Sequence, residues 1–317
     1  MKVMTKMLPM EELRTSFGKQ FRENLPIGRF TSARIGGNAD ALIEVNSAEE
    51  LANTAERLWE MDLSFLILGG GSNMLVSDSG IRELILLNRA KSVRFEESEG
   101  GVRAWAESGA GLGAIARQAA SKGLSGLEWA AGIPGTLGGA VLGNAGAHGS
   151  DIARVLEMAT ILHRTQGREE WTAEQLDYSY RSSKLKQNPG EAVILSASLK
   201  LAEMEEEAIR SQMDTYLAFR RLTQPPGASM GSMFKNPPDD HAGRLIEAAG
   251  LKGKRIGKAQ ISPLHANFFL NMGDAKAKDV FSLINIAQET VDQQFGVKLE
   301  LEIELVGDWP KGEGKKS

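Results

Sequence analysis

A chain of 317 residues with 37 Lys plus Arg against 41 Asp plus Glu has a net charge of −4, which argues against nucleic-acid binding driven by bulk charge. At 42% hydrophobic and 25% charged it has the composition of a soluble globular protein, long enough for two or three domains. Zero Cys excludes disulfide frameworks, thiolate zinc sites, iron–sulfur clusters and cysteine nucleophiles, and with four scattered His no metal site is expected.

Residues 1 to about 20 read as a polar lead-in with one short helix from Met10 to Arg14, and they lack the apolar h-region of a secretory signal. No apolar run nears the ~20 residues that span a bilayer, so a cytoplasmic protein with no membrane partner is expected. Helical spacing covers Ala48 to Met61, and Leu63 to Leu68 reads as a buried strand entering Gly69-Gly-Gly-Ser-Asn73. Strands are predicted at Leu84 to Leu87, Val102 to Ala106, Glu157 to Leu162 and Val193 to Leu201, with a helix from Leu112 to Ser121. Residues 203 to 221 form a helix, acidic in its first turn and basic in its last, and Pro225-Pro226 follow it, placing a domain boundary near 222. Helices then follow at Ala242 to Ala249 and Ala275 to Gln294. Lys298 to Leu305 (KLELEIEL) alternates strictly and predicts a half-exposed strand, and Lys311 to Ser317 is a basic tail.

The 35 Gly are clustered, which means backbone approaching something closely. In Gly69 to Asn73 successive N–H groups after a strand can form an anion nest, with Ser72 and Asn73 as side-chain donors. A tight turn is the plain alternative. No Lys-Ser or Lys-Thr follows, so it is no P-loop, and the third glycine of a dinucleotide fingerprint would fall on Met74. Gly109-Ala-Gly111-Leu-Gly-Ala114 fits G-x-G-x-x-A better, but the next segment, Gly123 to Trp129, is too short and Gly-broken for a Rossmann second strand. The longest cluster runs from Ala131 to Gly149. Its side-chain-free backbone suits either close helix packing through Gly139 and Gly143 or a long flat ligand read by main-chain groups. Gly227-Ala-Ser229-Met-Gly231 is a literal G-x-S-x-G, and a serine hydrolase using Ser229 is the competing class, although the flanking Pro-rich loop is a poor setting for a nucleophile elbow.

The segments LGGGSN, AGIPGTLGGAVLGNAGA, YSYRSS, GSMFKNP, AGRLIEAAGLKG and SPLHANFFLN, followed by LELEIELVG, stand in one order from about Leu25 to Gly307. Together they closely resemble the UDP-N-acetylenolpyruvoylglucosamine reductase family, in its shorter form. The resemblance implies an α+β chain: an FAD-binding fold of the vanillyl-alcohol-oxidase (PCMH) type with a separate C-terminal α+β substrate domain. Its domains would be 20–88, with 297–310 returning to it, then 89–221 for the rest of the FAD-binding part, and 222–296 for substrate. It implies non-covalent FAD, NADPH as hydride donor, a UDP-sugar substrate and a monomer. Another FAD-linked oxidoreductase of the same fold is a further alternative.

By the same resemblance Gly69, Gly70, Gly71, Ser72 and Asn73 would hold the FAD pyrophosphate. Gly132, Ile133, Pro134, Gly135, Thr136, Gly139, Asn144 and Gly146 would line the rest of the cofactor. Hydride addition to the terminal carbon of an enolpyruvyl group leaves enolate character beside a carboxylate, so a carboxylate-binding cation and a proton donor are needed. Arg181, Ser232 and Glu302 stand at the family's catalytic positions, and Tyr180, Asn236, Arg244 and His265 are candidate substrate contacts. The carboxylates Glu300, Glu302 and Glu304 share one face of the predicted strand, and only the resemblance chooses among them. Thr223 stands where many relatives have Lys, so a diphosphate contact would come from Arg220, Arg221 or Lys235.

Overall fold

A computed structural model describes residues 7–98 and 101–309; the basic tail and the first residues of the lead-in lie outside them. The chain divides into two compact units. The first holds the described residues up to Phe21, then Leu42–Gly70 and Leu84–Arg220, and the second holds Arg22–Ala41, Gly71–Glu83 and the described residues from Arg221 on.

The first unit is built on a six-stranded antiparallel sheet. Strand Ala192–Glu203 lies between Leu156–His163 and Gly101–Glu107, Gly167–Trp171 and Val93–Ser98 flank these, and Leu124–Ser125 pairs the far end of the central strand. That central strand is buried without a break from Val193 to Leu199, because the helices Ala48–Glu60 and Leu137–Leu142 pack against it. Ser47 caps the first of these helices, its hydroxyl accepting the Glu50 amide at 3.1 Å. A parallel group forms from Leu42–Val45, Leu84–Asn88 and Phe65–Leu68, and its central strand is entirely buried. Ile115, Leu137, Ile161, Leu199 and Trp129 lie in the core between the layers.

In the second unit strands Ala228–Ser232, Phe268–Asn271, Ala259–Ile261 and Arg255–Ile256 form an antiparallel sheet in that order. The helix Ala277–Phe295 buries Val280, Leu283, Ile284, Ala287 and Val291 in a core with Phe234 and Phe269, and Gly296 ends it in the left-handed region at φ +67°. The predicted strand Lys298 to Leu305 is corrected here. Only Glu304–Val306 is a strand, parallel to Met74–Val76, and Leu301 makes a single bridge to Phe234. The alternation is real as burial, with Leu299 and Ile303 inside, but it has no continuous ladder.

Candidate active site

The glycine loop after strand Phe65–Leu68 is shared by the units: Gly69 and Gly70 belong to the first and Gly71 to the second. Within the first unit it rests on the other glycine segment. A Cβ on Gly69 would lie 2.5 Å from the Thr136 hydroxyl oxygen, and one on Gly70 would lie 2.9 Å from the Gly135 Cα. Gly69 and Gly70 therefore lie against the loop that enters helix Leu137–Leu142 more closely than any Cβ would allow, which only glycine permits. Gly71 is required for a different reason: its φ is +56°, a Cβ would meet the Phe30 carbonyl at 2.3 Å, and its own carbonyl accepts the Ser32 amide at 3.0 Å.

Gly109 serves packing, and the helix that follows is tied to the other glycine segment, which disposes of the Rossmann reading. A Cβ on Gly109 would meet the Ala90 carbonyl at 2.5 Å, and the Leu112 amide at the start of the following helix donates to the Gly135 carbonyl at 3.1 Å. Gly139 is the contrary case. It sits exposed inside the helix Leu137–Leu142, and a Cβ there would meet nothing nearer than the Thr136 hydroxyl at 3.8 Å. Glycine costs a helix interior about 1 kcal/mol relative to alanine, and no protein contact accounts for that cost. A glycine open to space, beside the exposed Pro134 and the positive-φ Gly135, fits the close approach of a flat cofactor. Ile133 packs on the core instead. Asn144 is buried and engaged: its Oδ1 accepts the Ala153 amide at 3.0 Å, and its Nδ2 donates to the Ser179 carbonyl at 3.5 Å.

That last bond reaches the Tyr178-Ser-Tyr-Arg-Ser-Ser183 segment. Tyr178 and Ser183 donate their hydroxyls to the Val141 and Leu142 carbonyls at 2.9 and 2.7 Å, satisfying acceptors at the end of the glycine-rich helix. Burial raises the Tyr178 phenol above its ordinary value, with Asp151 adding to it, so the phenol remains a donor. Between these clamps Ser179 and Ser182 exchange backbone hydrogen bonds, leaving Tyr180 and Arg181 at the tip of a tight turn with Arg181 at φ +58°. Arg181 lies over the Tyr180 ring, and its Nη1 donates to the Gly146 carbonyl at 3.4 Å. The segment thus carries Arg181 alongside Gly146 and Asn144.

In the second unit Ser232 ends an edge strand opposite Phe268, and the register shifts between Ser229 and Ser232 where Gly231 takes φ +79°. Gly231 is a bulge glycine, and bulges re-aim side chains. The next helix begins only at Ala242, so Ser229 sits on no nucleophile elbow. Beyond Ser232 the chain is pinned on both sides. The Met233 amide donates to the Asn267 carbonyl at 2.7 Å, and the buried Asn267 side chain bonds both polar groups of the Phe234 backbone at 2.8 and 2.9 Å. On the other side the Glu302 amide donates to the Met233 carbonyl at 2.9 Å and the Lys235 amide to the Glu300 carbonyl at 2.9 Å. Ser232 and Glu302, far apart in sequence, therefore meet at Met233. Glu302 is half-buried while Glu300 and Glu304 are exposed, a distinction the alternation did not give.

Asn236, Arg244 and His265 cluster around the start of helix Ala242–Ala248. Asn236 accepts the Ala242 amide at 3.1 Å, Arg244 is forked onto Asp240, and a Cβ on Gly243 would meet the His265 ring at 2.9 Å. The hydrogen bond from Arg244 holds the Asp240 carboxyl down to about 2. His265 Nδ1 accepts the Asn267 amide at 3.2 Å, and burial, then Lys252, lower its pKa, so it is a neutral ring steadying Asn267. Among the basic candidates for a diphosphate, Lys235 pairs with Glu300 at 3.3 Å, whereas Arg220 packs on Gly132 of the glycine segment. His148 was missed in the sequence: it stacks on Tyr216 of the helix Glu206–Thr223 at 4.1 Å. A helical pattern says which face is apolar but not which distant loop it covers. Among the described residues no group of acidic and His side chains could hold a metal, and no helix is long and apolar enough to cross a membrane.

Two family profiles match the chain, an FAD binding domain over residues 39–171 and the C-terminal domain of UDP-N-acetylenolpyruvoylglucosamine reductase over 223–306. The chain is 42% identical to the UDP-N-acetylenolpyruvoylglucosamine reductase of Bacillus velezensis over 94% of its length and 98% of that protein. It is 40% identical to that of Chloroflexus aggregans over 90% and 97%. The crystal structure of the reductase from Thermus caldophilus superposes with a TM-score of 0.77 at 36% identity, covering 90% of this chain and 99% of that one.

Proposed function

The chain belongs to the UDP-N-acetylenolpyruvoylglucosamine reductase family, and from that premise we propose how its own residues carry out the reaction. It is an FAD-dependent oxidoreductase with the α+β, FAD-binding architecture expected from its sequence. Its reaction is NADPH-driven reduction of the enolpyruvyl group of UDP-N-acetyl-3-O-(1-carboxyvinyl)glucosamine to UDP-N-acetylmuramate, a step of peptidoglycan precursor synthesis. When bound, FAD supplies the hydride relay from NADPH to the terminal carbon of the enolpyruvyl group. Gly139, open to space beside Gly135, would border it, and the packing of Gly69 and Gly70 on Thr136 and Gly135 would hold the two glycine segments together around it.

The remaining chemistry falls to side chains. Arg181, held at a turn by Tyr178, Ser183 and Asn144, would grip the substrate carboxylate and stabilise the enolate that hydride addition generates. Ser232 would deliver the proton to the carbon next to that carboxylate, and Glu302 would stabilise the developing charge and hold the proton inventory. Asn236, Arg244, His265 and Tyr180 are assigned to the sugar nucleotide, and 222–296 to the domain that binds it. A cytoplasmic, monomeric enzyme belongs to the same proposal.

The observation that carries this reading is the shared anchoring of Ser232 and Glu302 on Met233, which puts a hydroxyl and a half-buried carboxyl at one backbone station. An absorbance spectrum of the purified protein followed by anaerobic stopped-flow tests it. Flavin bands that NADPH bleaches and the enolpyruvyl sugar restores are expected. A colourless protein that takes up no added FAD overturns the reading.

A further inference from the structure

Asn267 is a buried polar residue of the second unit, 3% exposed, and both ends of its side chain and of its backbone are engaged. Its Nδ2 donates to the Phe234 carbonyl at 2.8 Å, and its Oδ1 accepts the Phe234 amide at 2.9 Å. Its own carbonyl accepts the Met233 amide at 2.7 Å, and its own amide donates to His265 Nδ1 at 3.2 Å. Only the last of these bonds stays within its own loop; the others go to the two residues that follow Ser232. The loop is itself closed by the fully buried Ser262, whose hydroxyl accepts the Leu264 and His265 amides at 3.1 and 3.2 Å and whose amide donates to the Phe268 carbonyl at 2.8 Å.

The sheet explains why a side chain is needed there. The pairing of Ala228–Ser232 with Phe268–Asn271 ends at Ser232 opposite Phe268, after the shift at the bulge. Phe234 lies past that end with its ring fully buried and edge-on to Phe269 at 6.1 Å, where an unmet backbone N–H and C=O would be costly. A carboxamide presents one donor and one acceptor side by side, as a neighbouring strand does, so Asn267 extends the sheet past its last backbone pair. On the other edge Phe234 bridges Leu301, and the Met233 carbonyl accepts the Glu302 amide at 2.9 Å. Met233 therefore runs between Asn267 and Glu302, immediately after Ser232. We propose that Asn267 is a positioning residue for the protonation step, holding Met233 and Phe234 in the register that keeps Ser232 and Glu302 at one backbone station. Its amide is engaged with the Phe234 backbone and acts on the reaction only through these two residues. The proposal rests on the roles given to Ser232 and Glu302 above.

The test compares the FAD-loaded wild type with Asn267→Asp and Asn267→Ser in anaerobic stopped-flow. An aspartate keeps the shape and the acceptor but offers no N–H to the Phe234 carbonyl, and a serine is too short to bond both groups. Bleaching of the flavin by NADPH should stay within about twofold of wild type, because that step uses neither Ser232 nor Glu302. Reoxidation by the enolpyruvyl sugar should slow roughly 10- to 100-fold, the scale of a small misplacement of a reacting group. Its solvent deuterium isotope effect should also rise, since proton delivery becomes the slower step. A loss of stability alone changes neither the balance of the half-reactions in the folded protein nor the isotope effect. If Asn267→Asp does not fold, Asn267→Ser is read alone and should show the same split. Reoxidation within about twofold of wild type, equal slowing of both half-reactions, or slowed reoxidation with an unchanged isotope effect overturns the proposal. A wild-type enzyme whose flavin NADPH bleaches but the enolpyruvyl sugar does not restore overturns the assigned reaction, and this proposal with it, before any variant is made.

Discussion

Asn73 donates its side-chain amide to the backbone carbonyl of Glu302 at 3.1 Å across 229 residues of sequence, and its own carbonyl accepts the Glu304 amide at 3.0 Å. The last residue of the first glycine loop thus fixes the backbone that carries the proposed catalytic carboxyl. The sequence points to Asn73 as a donor to a cofactor phosphate, and one N–H of its side-chain amide is engaged with the protein. Asn73→Ala removes one hydrogen bond of about 1 kcal/mol from the Glu302 segment. Flavin reoxidation by the enolpyruvyl substrate should slow by roughly 5- to 10-fold, while bleaching by NADPH stays near wild type. Equal slowing of both half-reactions in stopped-flow would mean that Asn73 serves the cofactor after all.

The glycines separate into two kinds with opposite expected behaviour. Gly71 combines a left-handed φ with backbone at 2.3 Å from any Cβ, so Gly71→Val should destabilise the fold itself, by several kcal/mol. Gly139→Ala places a methyl in open space inside a helix and should leave the FAD-free protein as stable as wild type or up to about 1 kcal/mol more so. Its FAD affinity should fall at least about tenfold, since the methyl occupies the approach to the cofactor. Urea unfolding with and without FAD distinguishes the two effects. A Gly139→Ala protein that keeps its flavin at full affinity would show that this glycine borders no ligand.

The parts of this fold that were legible are those where local pattern and tertiary environment agree. Leu84–Asn88 reads as an apolar run and is buried at every position; Ala48–Glu60 has helical spacing and a Ser cap. Lys298 to Leu305 shows the limit: alternation reports which side chains face inward, and those do, but hydrogen-bond partners come from elsewhere in the chain. The strands Phe268–Asn271 and Asn38–Val45 are equally clear in three dimensions but carry no distinct signal in the sequence, since short apolar runs fit helix and strand alike. At the site, the residue types were legible and their commitments were not. Nothing local to Tyr178 or Ser183 announces that their hydroxyls end the helix Leu137–Leu142, and nothing near His148 announces Tyr216.

The burial of His265 makes stability depend on pH in a defined direction. Its folded pKa lies below the ordinary value near 6.5, so the unfolded chain binds the proton more tightly and stability rises with pH across that interval. The contribution is fully present above about pH 6.5 and is lost as the pH falls below it toward the folded pKa. His148 acts with the same sign. Thermal unfolding at pH 7.5 and pH 5.5 should show a smaller acid-induced drop for His265→Gln than for wild type, though the variant starts lower because Asn267 loses its acceptor. An identical drop in both proteins would show that His265 titrates alike in the folded and unfolded states.

Glu302 stands between two carboxylates that share its face of the chain and differ from it in setting. Glu300 has a side chain 75% exposed and pairs with Lys235 at 3.3 Å, the kind of surface ion pair worth ~0–1 kcal/mol. Glu304 is exposed at the start of a three-residue strand. Glu302 is half-buried, its amide bonded to Met233 next to Ser232 and its carbonyl bonded to Asn73, so its backbone is fixed from two directions. A carboxyl in that position can share a proton with a group beside a developing enolate, whereas its neighbours face water. Glu302→Gln should therefore slow reoxidation of the reduced flavin by the enolpyruvyl substrate by about 10²-fold or more, on the scale of general acid–base groups, with NADPH-driven bleaching preserved. Glu300→Gln and Glu304→Gln should remain within about twofold of wild type in both half-reactions, as expected of exposed groups. Small and equal effects in all three variants would make the whole face a solvated surface and leave Ser232 as the only proton donor.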